Sequence, residues 1–257
     1  MKEIATTFAT FLMDTFSMRP AFILVTICVF IFGCQVTDQA PPPVAPIAPP
    51  DTLRCDVQVY CILGLANIYS LGLYDLAKEL RSDGVPASAV SDSDYKMLAS
   101  DLVAERAGGK DTRPLVLVGH SYGADDCLRI AETLKAAGLT VRLVILIDPT
   151  SPPDVPDNID KCINYYIQDL SGDLMPDLFS GNPIPVAAGN THTLLINQEI
   201  TPALDPEYSN IDHASLWIMK LLLPSPDTDP TITDHLNLDS SPALHRFIRL
   251  EISKLCS

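Results

Sequence analysis

Between residues 57 and 197 the chain alternates short, continuously apolar runs with segments whose apolar residues recur at helical spacing. Residues 57–63 (VQVYCIL) read as a buried strand, and 71–80 then set Leu73, Leu76, Ala77 and Leu80 on one helical face before a stop at Gly84. Residues 86–90 form a weaker strand candidate and 95–107 a second helix. Residues 115–118 (LVLV) read as a strand, 124–137 as a helix ending at Gly138, 141–147 (VRLVILI) as a strand and 193–197 (TLLIN) as another. Strands apolar on both faces, separated by helices, belong in a mostly parallel α/β sheet covered on both sides. The interval 149–190, rich in Pro and Asp, reads as a small cap segment with one helical stretch around 158–168.

The 257 residues suffice for one large domain, and a hydrophobic content of 47% excludes disorder of the whole chain. Lys and Arg number 17 against 32 Asp and Glu, a formal charge of −15, which argues against nucleic acid as a partner because phosphates need a basic face. Residues 21–32 (AFILVTICVFIF) carry no charge and follow Arg19, the proportions of a secretory signal rather than a membrane-spanning helix. Met18 would begin a signal of ordinary length. Six prolines in residues 35–50 form an extended tether, so residues 1–34 read as a signal peptide, 35–50 as a linker and 51–257 as the folded domain. Ile31-Phe32-Gly33-Cys34 resembles a bacterial lipobox, which implies export with a lipid on Cys34 as the membrane anchor; signal-peptidase cleavage without a lipid, giving a periplasmic product, is the alternative. Export permits disulfides, and a Cys55–Cys256 staple of the domain's ends is conceivable.

Gly119-His120-Ser121-Tyr122-Gly123 stands where the strand LVLV turns into the next helix. G-x-S-x-G alone is a weak signal, but at a sharp strand-to-helix turn it marks a nucleophilic serine. The glycines permit the crowded turn, and the helix N-terminus adds positive potential. The N–H of Tyr122 is one oxyanion donor, and the loop after the first strand supplies the other from Leu65 or Ala66. A phosphate-binding turn competes for such a position, yet neither glycine-rich phosphate motif is present. Metal chemistry also lacks its patterns: there is no H-E-x-x-H, no C-x-x-C and no close histidine pair.

Over nearly all of residues 55–256 the sequence resembles the α/β-hydrolase superfamily, and within it small bacterial thioesterase- or lipase-like serine hydrolases. The stretches that carry the resemblance are GLANIYSLGLYDLAKEL, VLVGHSYGA, VILIDP and DHLNLDSSPALHRFI. It implies acyl transfer without a cofactor and a histidine base on a loop before the last helix. His235 fits, because Pro242 and the apolar spacing of Leu244, Phe247 and Ile248 follow it. His213, ahead of an apolar segment at 216–223, is the alternative. His120 at its position in the motif is commonly structural in this superfamily, and His192 and His245 read as surface or packing residues. Asp148, at the end of VRLVILI, is the expected acid, with Asp205 or Glu199 as alternatives after the later strand. The expected activity is cleavage of a carboxylic ester or thioester of a small molecule or lipid through an acyl-enzyme on Ser121. A non-catalytic binding protein of the same fold and an acyltransferase are the rival readings.

Overall fold

The computed structural model describes residues 55–64, 70–167, 181–200, 235 and 238–256, all within the compact unit Asp51–Ser257. The expected signal segment, Cys34 and the linker lie outside the described residues. The elements follow one another as β1 (Gln58–Ile62), α1 (Gly72–Ser82), β2 (Ala87–Val90), α2 (Tyr95–Ala107), β3 (Leu115–His120), α3 (Tyr122–Ala136), β4 (Val141–Ile147), β5 (Ile159–Tyr166), β6 (Leu194–Glu199) and α4 (Pro242–Ser253). The strands form one sheet in the order β2-β1-β3-β4-β5-β6, every neighbouring pair parallel.

The two faces follow from the period-2 alternation of side chains along each strand. Val59, Val116, Val118, Ile145 and Ile147 point to the face covered by Leu73, Leu76 and Leu80 of α1 and Leu244, Ile248 and Ile252 of α4. Leu115, Leu117, Val144 and Leu146 point to the other face, against Ala99 and Leu102 of α2 and Leu128, Ile130 and Leu134 of α3. Being buried on both sides, β3 shows no exposed residue, which is why LVLV is apolar throughout. From β1 the chain first lays β2 on one side and then β3 to β6 on the other. The strand order therefore reverses at β1/β3, and the carboxyl ends there form the crevice where open α/β sheets bind ligands.

One expectation is corrected. Residues 158–168 do not form a helix in a cap: Ile159–Tyr166 is the fifth strand, hydrogen-bonded between β4 and β6. Its charged residues, Asp160 and Lys161, sit half-buried near its start after the buried Ile159, and the run from Cys162 to Tyr166 is buried. Those polar opening residues mimic helical spacing, whereas the β-branched and aromatic remainder packs as strand. The described parts of 149–190 outside β5 are irregular chain, and 168–180 are not described.

The ends of the domain are joined by a disulfide between Cys55 and Cys256, with Cα atoms 4.5 Å apart across 201 positions of sequence. Cys61, Cys127 and Cys162 are free and buried, and desolvation pushes their thiols up, that of Cys61 to about 12. Thiols so placed are inert packing residues.

Candidate active site

Ser121 is the residue between β3 and α3, at φ 57 and ψ −128. A non-glycine residue with that backbone is strained, and such strain persists only where the surroundings hold it. Three of them do. The Ser121 N–H donates to the Ile147 carbonyl at 3.0 Å, and its own carbonyl accepts from Ala124 at 2.9 Å. The motif's glycines let backbones meet: a Cβ on Gly119 would collide with the Gly123 backbone, and one on Gly123 with the carbonyls of Ile62 and Leu63. The turn is thus pressed against the end of β1, and the side chain of Ser121 is directed off the sheet's carboxyl edge.

His235 Nε2 lies 3.0 Å from Ser121 Oγ, and His235 Nδ1 lies 2.6 Å from Asp148 Oδ2. A carboxylate can only accept, so Nδ1 carries the proton and donates to Asp148. Nε2 is then bare and accepts from the Ser121 hydroxyl, the tautomer a general base requires. Asp148 directly follows β4 at φ 46, a left-handed conformation that Asp tolerates better than most residues. Its side chain is fully buried, and its second oxygen, Oδ1, accepts from the Ile167 N–H at 3.0 Å. Both oxygens are therefore engaged, which fixes the plane of the carboxylate.

Close packing completes that restraint. A Cβ on Gly181 would overlap Asp148 Oδ1 and come within 2.8 Å of the Tyr166 Cβ. Gly181→Ala should therefore displace the carboxylate from His235 by the order of 1 Å and lower any activity of the site about 10²-fold. Activity measured beside a melting curve checks this; native activity in a folded Gly181→Ala variant would show that Asp148 tolerates the shift.

Other expected residues fall as follows. Tyr122 begins α3, so its N–H belongs to the first helical turn, where no intrahelical acceptor exists. Leu65 and Ala66 lie outside the described residues, as do His213 and Asp205. Glu199 ends β6, exposed and two strands away from β4. His192 is exposed beside Asp160, and His245 sits in α4 with its Nε2 2.7 Å from the Asp239 carbonyl.

Several buried groups behind the site carried no sequence signal of their role. Asp125, in the first turn of α3, accepts from the Thr150 N–H at 3.1 Å, the Thr150 hydroxyl at 2.9 Å and the Ser151 N–H at 3.0 Å. It ties the loop after Asp148 to the helix after Ser121, although burial raises its carboxyl above the ordinary range. Asp239 accepts from the Gly72 N–H at 2.7 Å, and its complete burial pushes it up to about 8. Among the described residues no group of three or more His, Cys, Asp or Glu is placed to hold a metal ion.

No known family's sequence pattern matches the chain, and no curated protein matches it by sequence. Solved structures do. The RedJ structure with a PEG molecule bound in its active site shares 12% identity over 84% of this chain and 98% of its own, with a TM-score of 0.43. The thioesterase domain SrfTE, which cyclises the lipopeptide surfactin, shares 14% over 67% and 97%, with a TM-score of 0.36. A Xanthomonas campestris protein assigned to the α/β hydrolase superfamily shares 17% over 65% and 98%, with a TM-score of 0.32. Likenesses this distant say nothing of chemistry. The fold rests on the chain's own parallel sheet, helices on both faces and serine-bearing turn after β3, and it is the α/β-hydrolase fold.

Proposed function

We propose that the protein is a serine hydrolase that cleaves a carboxylic ester or thioester through an acyl-enzyme on Ser121. The observation that carries this reading is the hydrogen-bonded series Ser121 Oγ, His235 Nε2, His235 Nδ1 and Asp148 Oδ2, with distances of 3.0 and 2.6 Å, on a strained strand-to-helix turn. A serine hydroxyl is a poor nucleophile near neutral pH and needs a base in reach. His235 takes the Ser121 proton as Oγ attacks the acyl carbonyl, and Asp148 stabilises the imidazolium without itself becoming protonated. The Tyr122 N–H, at the positive end of α3, donates to the tetrahedral oxyanion, with Leu65 or Ala66 as the second donor. His235 then protonates the leaving group. Water, deprotonated by the same imidazole, releases the acid.

The substrate is a small-molecule or lipid acyl ester. We further read the chain as exported behind its signal segment, either periplasmic or attached to the membrane through a lipidated Cys34. The Cys55–Cys256 disulfide supports an oxidising compartment, where coenzyme A thioesters are absent and oxygen esters are the better candidates.

Labelling with a fluorophosphonate tests the central claim. Purified protein should be modified at Ser121 by mass mapping, and Ser121→Ala should remain folded and unlabelled. A folded, unlabelled native protein would overturn the hydrolase reading in favour of a binding protein that keeps the fold.

A further inference from the structure

His120 is fully buried, and its ring makes three contacts. Nε2 lies 2.9 Å from the main-chain carbonyl of His235, and Nδ1 lies 2.8 Å from Ser70 Oγ. The ring also packs on the His235 imidazole, with centroids 5.0 Å apart and planes tilted by 37°. Ser70 Oγ in turn receives the Gly64 N–H at 2.8 Å.

The directions of these bonds are determined by what each atom can do. A carbonyl only accepts, so His120 Nε2 carries the proton and donates to His235. Nδ1 is then bare and accepts the Ser70 hydroxyl proton, while the Ser70 oxygen accepts from Gly64. Each atom in the series is used once, in one sense. Burial, and the neighbouring His235, hold His120 well below the ordinary range, so it remains the neutral ring this pattern needs. Among the described residues the nearest carboxylate is Asp239, whose Oδ1 lies 4.0 Å from Nδ1, beyond hydrogen-bond reach.

We propose that His120 is a positioning residue that holds the main chain of His235, through its carbonyl, to Ser70 and so to the Gly64 amide at the end of β1. This rests on the reading of His235 as base. Gly64 is itself at the site, because a Cβ there would lie 2.6 Å from Ser70 Oγ and 3.3 Å from the Ser121 Cβ. One buried ring therefore locks three separate segments: the nucleophile turn that carries it, the base, and the start of the loop after β1. The imidazole of His235 is aligned from two ends, by Asp148 on its side chain and by His120 on its main chain. A base displaced by a fraction of an ångström would still bind substrate but would accept the Ser121 proton poorly.

The test compares His120→Leu, His120→Gln and Ser70→Ala in the purified chain, each checked for fold by circular dichroism and melting. His120→Leu should slow fluorophosphonate labelling of Ser121 about 10- to 100-fold. His120→Gln, which keeps an N–H donor at the reach of Nε2, should recover most of that loss. Ser70→Ala should give a smaller defect, and the double variant with His120→Leu should be no worse than His120→Leu alone, because the two act in one series. Equal loss in the Leu and Gln variants, or native labelling in a folded His120→Leu, would overturn the proposal. A second readout does not need activity: the downfield proton resonance of the His235 Nδ1–H, shared with Asp148, should persist in His120→Gln and Ser70→Ala but broaden or vanish in His120→Leu. If the native chain is never labelled, the hydrolase reading fails, and this resonance still decides whether His120 positions His235. If His120→Leu does not fold, the Gln and Ser70→Ala variants decide: both should keep the resonance, and Gln should label faster than Ser70→Ala combined with it.

Discussion

Asp148→Asn should leave the fold intact and lower labelling and turnover by about 10³- to 10⁴-fold, the loss expected when a triad histidine is held in the wrong tautomer. The geometry explains why the site would enforce that tautomer. Asp148 Oδ1 accepts from the Ile167 N–H at 3.0 Å, and Oδ2 accepts from His235 Nδ1 at 2.6 Å. An asparagine in this place keeps its carbonyl on Ile167, the position that can only receive, and so turns its amide NH₂ towards His235. Nδ1 must then be the bare nitrogen, and Nε2 carries the proton facing Ser121. A base already protonated at Nε2 cannot take the serine proton. The measurement is the labelling rate of a folded Asp148→Asn sample, with Asp205→Asn in parallel. Native labelling by Asp148→Asn together with loss in Asp205→Asn would move the acid to the later position.

The parts of this arrangement that were legible in the sequence are those encoded by local spacing. Gly119, Ser121 and Gly123 sit at fixed intervals because the turn presses against Ile62 and Leu63, and only hydrogen fits at the contact points. The buried strands announce themselves because both faces are covered, and Pro242 with the apolar spacing after it marks the last helix; the Ser241 side chain that caps it, accepting from the Leu244 N–H at 3.2 Å, is a finding of the structure. Asp148 and His235 could be placed from the ends of the elements they adjoin. What was not legible lies in tertiary partnerships. Ser70 meets His120 across 50 positions, and Asp239 meets Gly72 across 167, and no periodicity records which polar residue a distant loop will satisfy. Gly181 is similarly silent: its need to be glycine comes from Asp148, 33 positions earlier by their numbers. The misreading of β5 has another cause, since Asp160 and Lys161 give a buried strand a polar entrance.

Reduction of the Cys55–Cys256 bond should be the largest single loss of stability available without touching the core. Closing a loop of 201 positions removes much of the unfolded chain's freedom, worth about 5 kcal/mol in the chain-entropy account. For a domain of this size that is a fall in Tm of roughly 10–20 °C. The fold itself should survive at room temperature, because α4 remains anchored by Leu244, Ile248 and Ile252 against the sheet face that also holds Leu73 and Leu76. The site should feel the change when heated. Residues 238–241, which lead into α4, include Asp239, and its bond to Gly72 joins the two helices of that face. Loosening α4 from its far end therefore reaches the segment that follows His235. Melting of native protein, of reduced protein and of a Cys55→Ser/Cys256→Ser variant checks this, with labelling followed along the same ramp. An unchanged Tm on reduction would mean that the unfolded chain gains little freedom, and that packing of α4 alone holds the two ends together. A lowered Tm with labelling lost below the melting transition would show that the staple at the base of the sheet also keeps His235 and Ser121 in register at its opposite edge.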